Sequence, residues 1–560
     1  MKTGLSVLWG LLVITSCLAA ADSAEGRFEG KYYSGAGDVE YMELLDISRR
    51  MFDPDPELPN ITMFYKPEWN GFVLSPDWGM WWVQNTYGTT YCALPFYQEP
   101  YITWLQNAQD LWYKWMGDGK TEYTFRDWKW TPPDGSLVDC AGPNEAIHKQ
   151  GDARADIHDW PMEFTAAGSL MQAELLLIAR DEQAIAAYLP KLQRSVNLIE
   201  SRRDPNNHLF LAGPAGNLLA PSYAGWRKPD GTFGQAYLSG LSITYIALLD
   251  RMIEIYKFTG QSDKVQESIQ RRDAARQGLA LLTTEEGYFI KSLDPDGTRH
   301  GVYGAEKYGY FEAVCNHDAI CFRVADEQQS RQIYDKIASI SGLRPYHFIL
   351  TNYPTLDDMY ESGGIFQFGW WVNGGAWPTC EARMMMGYYR VGAYEDVRRS
   401  MKHLVGFARE FKLDDHYSNF GRTVSWYERP IYNTYDSYGP PAAMIRGLFE
   451  YLYQADRLIL LPHIPAGIVQ LDQKFPIRFG QKRLYISTAG TGKVTAVKIN
   501  GKDCDTFDEN SITLPYEPMP DTAQIQIALG GAKLAEPFAF PAEGTIPSVP
   551  AKEDPFWNEE

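Results

Sequence analysis

The sequence predicts a mainly α fold, in which paired helices form an (α/α)6 toroid that precedes a small C-terminal antiparallel β-domain. Three observations predict it. An apolar helix, a short turn and a charged helix recur in that order between residues 160 and 455. Long aromatic loops lead into the apolar helices, whereas the turns that leave them are short. After Arg457 the sequence changes to short runs rich in β-forming residues.

The N-terminus predicts export. Residues 1–21 show an early lysine, an apolar stretch and then small residues, which is the pattern of a secretory signal peptide. Residues 14–17 also resemble a bacterial lipobox, in which Cys17 would receive a lipid anchor; cleavage near Ala20 or Ala21 is the alternative. We expect a periplasmic, extracellular or lipid-anchored protein. No later segment approaches the ~20 apolar residues that a membrane span needs.

Residues 37–456 are predicted to form the helical domain. Apolar residues recur at helical spacing from 238 to 259, Gly260 ends that helix, and a more polar helix follows. The same hairpin recurs at 162–201 and 382–411, with a weaker copy at 319–340. Because the apolar helices cannot be solvated, we expect them inside the domain and their charged partners outside.

Residues 457–535 are predicted to form the β-domain. Short runs such as RLYIST and VTAVKI alternate with turn residues, and the Asn500-Gly501 pair is a hairpin-turn signal. The tail at 536–560 is rich in proline, and we expect it to wrap the surface or to be disordered.

Charge and cysteine content limit the classes of ligand. A net charge of -19 argues against nucleic acid or an anionic membrane as the partner, because phosphate would be repelled. The CNHDAIC segment at 315–321 has no zinc-ligand spacing, so small buried residues are the simpler interpretation. The sequence therefore predicts neither a metal site nor a cofactor.

The long loops share an unusual chemistry. Each of six loops supplies a Trp or Tyr, and nearly every one also contains an acidic residue. Flat aromatic faces beside carboxylates suit a sugar, which has apolar CH faces and hydroxyl edges; the alternative is that these rings only cover the core. The predicted substrate-binding residues are Trp78, Asp159, Trp160, Trp226, Tyr310, Asn373 and Trp377.

Three segments resemble a known group of enzymes. VNGGAWPTCEARMMMGYYRVGAYEDV at 372–397 is similar to the Asn-Gly-x-Trp loop and helix near the end of six-hairpin glycosidases. LILLPHIPAGI at 458–468 resembles the passage into their C-terminal β-domain, and 222–252 is similar in layout to the stretch that holds their general acid. This group includes trehalases, glucoamylases, processing glucosidases and α-L-rhamnosidases. The resemblance covers roughly residues 37 to 530.

The resemblance implies an exported glycoside hydrolase that needs no cofactor and that acts on an oligo- or polysaccharide by an inverting two-carboxylate mechanism. By position, it implies that Asp230 is the general acid, with Glu306 and Glu312 as rivals, and that Asp436 is the base. Pro-Asp-Gly recurs at two other turns, so a turn role for Asp230 stays open. Asp436 has its own alternative, which is to cap the last helix.

Two further functions stay open. A polysaccharide lyase of the helical-toroid type would use a Tyr or His base, for which His158 and Tyr310 are available. A surface glycan-binding protein without catalysis would need the aromatic residues and not the acids.

Overall fold

The computed structural model describes residues 26–75, 79–125, 128–147, 162–212, 234–345, 347–358, 368–369, 373–410, 425–426, 429–430 and 434–541. The predicted signal peptide with Cys17 lies outside these residues, as does the predicted tail from 542 onward. The division into a helical and a β-domain at residue 456 stays a prediction.

Twelve α-helices occupy the described part of the chain. In order they are α1 (Val39–Arg50), α2 (Val83–Ala93), α3 (Tyr101–Lys114), α4 (Met162–Ala179), α5 (Glu182–Glu200), α6 (Ser239–Phe258), α7 (Ser262–Ala280), α8 (Val314–Cys321), α9 (Glu327–Ser339), α10 (Pro378–Arg390), α11 (Tyr394–Glu410) and α12 (Gly439–Gly447).

The even-numbered helices pack on one another. Helix α2 contacts α4 and α12, α6 contacts α4 and α8, and α10 contacts α8 and α12. The sequence explains this placement, because a helix that is apolar all round must be buried; in α4 every residue from Met162 to Ile178 is buried. Helices α2, α4, α6, α8 and α10 are each followed by another helix, whereas α12 is followed by β-strands.

A seven-stranded sheet joins the two ends of the described chain. Its strands, in the order of their positions in the sheet, are Gly26–Glu29 (β1), Tyr33–Gly37 (β2), Ile468–Phe479 (β20), Lys482–Ala489 (β21), Thr522–Leu529 (β25), Val494–Ile499 (β22) and Lys502–Cys504 (β23). Strand β2 pairs antiparallel with β20, and β21 pairs parallel with β25. A Cβ atom on Gly35 would lie 2.1 Å from the Gln470 carbonyl oxygen, so only glycine fits in β2 there.

Shorter strands lie in the connections between helices and beside the sheet. They are Tyr65–Lys66 (β3), Gly71–Phe72 (β4), Trp81–Trp82 (β5), Tyr123–Phe125 (β6), Trp128–Trp130 (β7), Cys140–Ala141 (β8), Ala146–Ile147 (β9), Leu211–Ala212 (β10), Ala236–Leu238 (β11), Ser292–Leu293 (β12), Arg299–His300 (β13), Phe311–Glu312 (β14), Asn352–Tyr353 (β15), Ser425–Trp426 (β16), Arg429–Pro430 (β17), Leu452–Tyr453 (β18), Arg457–Leu460 (β19) and Ile512–Pro515 (β24).

The predicted fold class, a mainly α toroid with a small C-terminal antiparallel β-domain, is wrong. The described chain mixes helices and strands throughout, and its largest sheet includes two N-terminal strands and one parallel pair. The strands within the connections are two or three residues long, too short to show the alternation of side chains that marks a strand in a sequence. Strand β2 reads YSGAG, which has none of the usual β-forming residues except Tyr33.

Among the described helices, none combines the length and the apolar character that a membrane crossing requires.

Candidate active site

Three buried carboxyl groups lie at the N-terminal ends of three even-numbered helices. Glu163 is the second residue of α4, Glu312 lies two residues before α8, and Asp436 lies three residues before α12. All three are buried. We call Glu163, Glu312 and Asp436 the carboxyl cluster.

Asp436 lies in a short 3-10 helix at Tyr435–Tyr438, and its side chain is 1% exposed. The Thr434 hydroxyl donates a hydrogen bond to Oδ1, whereas Oδ2 is buried without a hydrogen-bond partner. Burial raises the pKa of this carboxyl to about 7. The N-cap residue of α12 is Tyr438 and no side chain caps that helix, so Asp436 does not have the capping role that was its alternative.

Glu312 is held by the start of α8. Its Oε1 accepts from the Val314 amide at 3.1 Å, and its Oε2 accepts from the Cys315 amide at 3.0 Å. Burial is the largest influence and raises the pKa of Glu312 to about 7, although the hydrogen bonds from Cys315 and the charge of Lys291 oppose the rise. Two backbone N–H groups fix the orientation of this carboxylate.

Glu163 is the third member of the cluster, and its burial favours the protonated form. Its side chain is 2% exposed, and Oε1 is buried without a hydrogen-bond partner. Burial raises the pKa of Glu163 well above its usual value, and the neighbouring Glu312 raises it further. Burial of this kind favours the neutral form of a carboxyl group.

Cys380, in the first turn of α10, shows that the cluster lies together. Burial raises the pKa of its thiol, and the charges of Asp436 and Glu312 raise it further. The backbone geometry agrees with this placement. A Cβ atom on Gly439, at the start of α12, would lie 3.1 Å from the Pro378 carbonyl oxygen at the start of α10. Thr351 accepts from the Ala313 amide before α8 and donates to the Gly375 carbonyl before α10 at 2.9 Å. Glu312 in turn acts on Glu163, which brings in α4.

A buried ion pair lies one turn deeper. The Arg383 guanidinium donates to Asp318 Oδ1, and the Tyr87 hydroxyl donates to Asp318 Oδ2 at 2.8 Å. Burial acts to raise the pKa of Asp318, but Arg383 and His317 outweigh it and the pKa is lowered. Asp318 is therefore ionised, and its charge raises the pKa values of both Glu163 and Glu312.

Five of the predicted site residues lie outside the described residues. They are Trp78, Asp159, Trp160, Trp226 and Asp230. Their roles stay predictions, as does that of His158.

Glu306 and Tyr310 lie on the segment between β13 and β14. Glu306 is exposed on a turn, away from the buried carboxyl groups. Tyr310 is buried, and its hydroxyl donates a hydrogen bond to the carboxylate of Asp358. In the described residues, Tyr310 thus contacts protein through its polar atom, and its predicted contact with substrate is untested.

Asn373 and Trp377 lie just before α10, and both are buried. Asn373 Oδ1 accepts from the Leu356 amide at 2.9 Å and from Asn352 Nδ2 at 3.1 Å. The amide of Asn373 therefore holds two loops together. Trp377 is the N-cap residue of α10, without a side-chain cap. A substrate contact by either residue stays a prediction.

Sequence reasoning missed Glu163 and also Asp139. Asp139 is fully buried, both of its carboxyl oxygens have no hydrogen-bond partner, and burial raises its pKa well above the usual value. Its backbone carbonyl accepts from Val83, the first residue of α2, so it too lies at an N-terminal helix end. The available signal was a single acid inside an apolar segment, as in LVDCA or PMEFTAA.

A cavity of about 600 Å³ lies at the other end of α10, beside Gly392 and Tyr394. Its arginines are paired with its own acids, for example Arg344 with Asp396 at 2.9 Å. It is distinct from the carboxyl cluster, since α10 spans roughly 20 Å at 1.5 Å per residue. Among the described residues, no group of three or more His, Cys, Asp or Glu side chains could hold a metal ion.

Comparison with known proteins shows a glycoside hydrolase-like fold. No protein-family model matches the chain, and no curated protein matches it. A solved structure named as a sialidase matches with a TM-score of 0.52 and 13% identity, over 85% of this chain and 40% of that one. At this identity the likeness concerns the fold alone.

Two other solved structures are more distant. A GH78 family rhamnosidase from a Bacillus species has a TM-score of 0.47 and 12% identity, over 81% of this chain and 41% of that one. A GH63 mannosylglycerate hydrolase from Thermus thermophilus has a TM-score of 0.43 and 11% identity, over 72% of this chain and 98% of that one. The chain spans about two fifths of the length of the sialidase and of the rhamnosidase.

Proposed function

We propose that the protein is a glycoside hydrolase in which the carboxyl cluster cleaves a glycosidic bond. The observation that supports this most directly is the placement of three buried carboxyl groups, from three separate helix starts, with raised pKa values in one region. Hydrolysis of a glycoside needs one carboxyl group that is protonated and one that is ionised, and burial and neighbouring charges set that difference.

Asp436 is the general base in this proposal, as the sequence predicted. Among the described residues its Oδ2 has no hydrogen-bond partner, and it can accept a hydrogen bond from the attacking water. Glu163 is the acid in this proposal, because burial and the neighbouring Glu312 both favour its protonated form. Glu312, oriented by α8, contributes the negative charge that keeps the proton on Glu163.

The pH dependence follows from these roles. Asp436 must be ionised, and its pKa is about 7, so activity should rise as the pH rises through about 7. Activity should fall again at higher pH, where Glu163 loses its proton. The measurement is kcat/KM against pH, and a profile that is flat between pH 5 and 8 would contradict the assignment of Asp436.

A substrate screen tests the function. Aryl glycosides and plant or marine polysaccharides are incubated with the protein, and sugar products are followed by NMR. We expect hydrolysis, with Asp436→Asn lowering kcat/KM by about 10² to 10⁴-fold. The matched control is Asp472→Asn, another buried carboxyl group with a raised pKa, which lies on β20. Absorbance from an unsaturated uronate would indicate a lyase, and binding that Asp436→Asn leaves unchanged, without turnover, would indicate a binding protein.

A leaving-group comparison separates the two candidates for the acid. Glu163→Gln and Asp230→Asn are each assayed on an aryl glycoside with an acidic leaving group and on the unactivated oligosaccharide. Loss of the acid should spare the activated substrate, because that leaving group needs no proton. The variant with this selective defect identifies the acid, and an equal defect on both substrates would exclude that residue.

We also infer that the reaction inverts the anomeric centre and that the chain is exported. Inversion rests on the resemblance to six-hairpin glycosidases and is tested by NMR of the first-formed anomer. Export rests on residues 1–21, and lipidation of Cys17 is tested by mass spectrometry of the mature N-terminus. A mature chain that begins after Ala20 or Ala21 would exclude the lipid anchor.

A further inference from the structure

Asp358 is a fully buried carboxylate that contacts three hydrogen-bond donors. Lys291 Nζ lies 3.2 and 3.3 Å from its two oxygens, and His300 Nδ1 lies 2.8 Å from Oδ2. The Tyr310 hydroxyl donates to the same Oδ2. Burial acts to raise the pKa of Asp358, but Lys291 and His300 outweigh it and lower the pKa to about 2. Asp358 is therefore ionised near neutral pH.

These donors come from neighbouring strands. Lys291 directly precedes β12, His300 lies in β13, and Tyr310 directly precedes β14. Asp358 itself follows β15. The contacts of Asp358 thus join the β12–β13 hairpin to the β14–β15 pair. A buried charge with three partners fixes such a junction more firmly than apolar contacts, because any displacement leaves charges unpaired.

Glu312 belongs to the structure that this junction holds. It lies two residues after Tyr310, and in the β14–β15 pair it is the partner of Asn352. The Ala313 amide donates to the Thr351 carbonyl at 2.8 Å, directly after this pair. A shift of Tyr310 or of the segment after β15 would therefore move the carboxylate of Glu312.

The pair of Lys291 and Asp358 also affects the pKa values within the carboxyl cluster. Lys291 lowers the pKa values of Glu312 and Glu163, whereas Asp318 raises both. The titratable groups that act on Glu312 are Cys315 and Asp318 on α8 and Lys291 at the start of β12. Glu312 in turn acts on Glu163 in α4. Asp358 neutralises Lys291 and so limits its effect on the cluster.

We propose that Asp358 is a positioning residue for the carboxyl cluster: by holding Lys291, His300 and Tyr310 it fixes the strand that contains Glu312 and balances the lysine charge beside it. This rests on the proposed function only for its effect on turnover. The geometry of the junction and the protonation of Glu163 and Glu312 can be measured without a substrate.

Two variants with opposite electrostatic effects test the proposal. Asp358→Asn leaves Lys291 unneutralised, so Glu163 and Glu312 should lose their protons about one pH unit lower. Lys291→Met removes the positive charge, so both should keep their protons about one pH unit higher. The measurement is an infrared titration of protonated carboxyl groups, with Glu163→Gln and Glu312→Gln identifying the two bands. Shifts in the same direction, or no shift, would overturn the proposal.

Turnover supplies a second readout. The upper limb of the kcat/KM profile should move to lower pH in Asp358→Asn and to higher pH in Lys291→Met. Displacement of Glu312 should also lower kcat of Asp358→Asn by about 10 to 100-fold, with KM nearly unchanged. If Asp358→Asn does not fold, Lys291→Met alone decides, because it leaves Asp358 with His300 and Tyr310.

The control is Glu450→Gln, another buried carboxylate with cationic partners, which lies after α12. It should lose stability and shift neither the infrared titration nor the pH profile. If the two variants show the infrared shifts but the parent hydrolyses no glycoside, the proposed function is refuted and the role of Asp358 stands. If the parent hydrolyses a glycoside but the two variants show no infrared shifts, the role of Asp358 is refuted and the proposed function stands.

Discussion

The two ends of helix α4 hold the same residue type in opposite states. Glu163, in its first turn, has a pKa well above the usual value, while Glu174 has a lowered pKa although it is just as deeply buried. The two carboxyl groups differ in the cationic side chains that contact them. Arg251 and Arg446 each lie 2.9 Å from a Glu174 oxygen, whereas Glu163 Oε1 has no hydrogen-bond partner.

The two ends of α12 repeat this contrast. Asp436, before the helix, has a pKa raised to about 7 by burial. Glu450, after it, has a pKa well below the usual value, because Arg390, His463 and Arg323 together outweigh the effect of burial. The N-terminal ends of these helices therefore hold carboxyl groups whose pKa is raised by burial, and the other ends hold carboxylates whose pKa is lowered by ion pairs. A carboxyl group with a pKa raised by burial is a candidate for a functional site, and a buried ion pair is a candidate for a structural one.

The largest expected effect is on stability, at the paired end. Glu174→Gln leaves Arg251 and Arg446 with a buried neutral partner, and we expect the free energy of unfolding to fall by about 3 to 5 kcal/mol. Urea unfolding at pH 7 measures it. A loss below about 1 kcal/mol would mean that the two ends of α4 do not differ in the way described.

The next effect is on activity, at the unpaired end of the same helix. Glu163→Gln removes a proton donor that has no ion pair among the described residues, so kcat/KM on the unactivated oligosaccharide should fall by about 10²-fold. The free energy of unfolding should stay within about 1 kcal/mol of the parent, because a neutral amide replaces a neutral acid. The same urea experiment supplies the comparison with Glu174→Gln. Equal losses of stability in the two variants would contradict the distinction.

A smaller effect concerns the pH dependence of stability. The folded-state pKa of Asp436 is raised, so its contribution to stability is fully present below its unfolded pKa and is lost as the pH rises through about 7. Asp436→Asn removes this loss and should be more stable than the parent by about 1 to 3 kcal/mol at pH 8, with little difference at pH 4. Thermal unfolding at both pH values measures it. If the difference in stability between Asp436→Asn and the parent is the same at pH 4 and at pH 8, burial does not hold Asp436 in its acidic form.

The smallest effect is expected at the surface. Lys493 pairs with Glu509 where both side chains are more than half exposed. Lys493→Ala should change the free energy of unfolding by less than about 0.5 kcal/mol, since water screens such pairs. A loss comparable to that of Glu174→Gln would show that burial is not what separates the two kinds of carboxylate.

The sequence predicts Asp436 as the base because it lies in the loop before the last helix, a position that can be read along the chain. It could not identify Glu163 in the same way. A single acid in the first turn of a helix is usually a favourable end charge, and nothing local distinguishes Glu163 from Glu174. The distinction comes from Arg251 and Arg446, which lie on α6 and α12 and reach only one end of α4.

The fold shows the same limit. Apolar periodicity predicted α4, α6 and α10 as buried helices, because that signal is contained in each segment. The seven-stranded sheet depends on pairing between β2 and β20, and the side chains of Tyr33 and Gln473 that meet there are 440 residues apart in the chain. No local pattern in YSGAG indicates such a partner, so the sequence predicts a sheet only in the C-terminal region.

That pairing has a consequence for how the protein is made. Strands β1 and β2 emerge from the ribosome first, yet β20, against which they lie, is made only after every helix has been synthesised. Until then β2 presents an open edge with unpaired backbone groups, and such edges recruit other chains. Closure of the sheet is therefore a late event, and deletion of either β1–β2 or β20 should leave a helical core that aggregates.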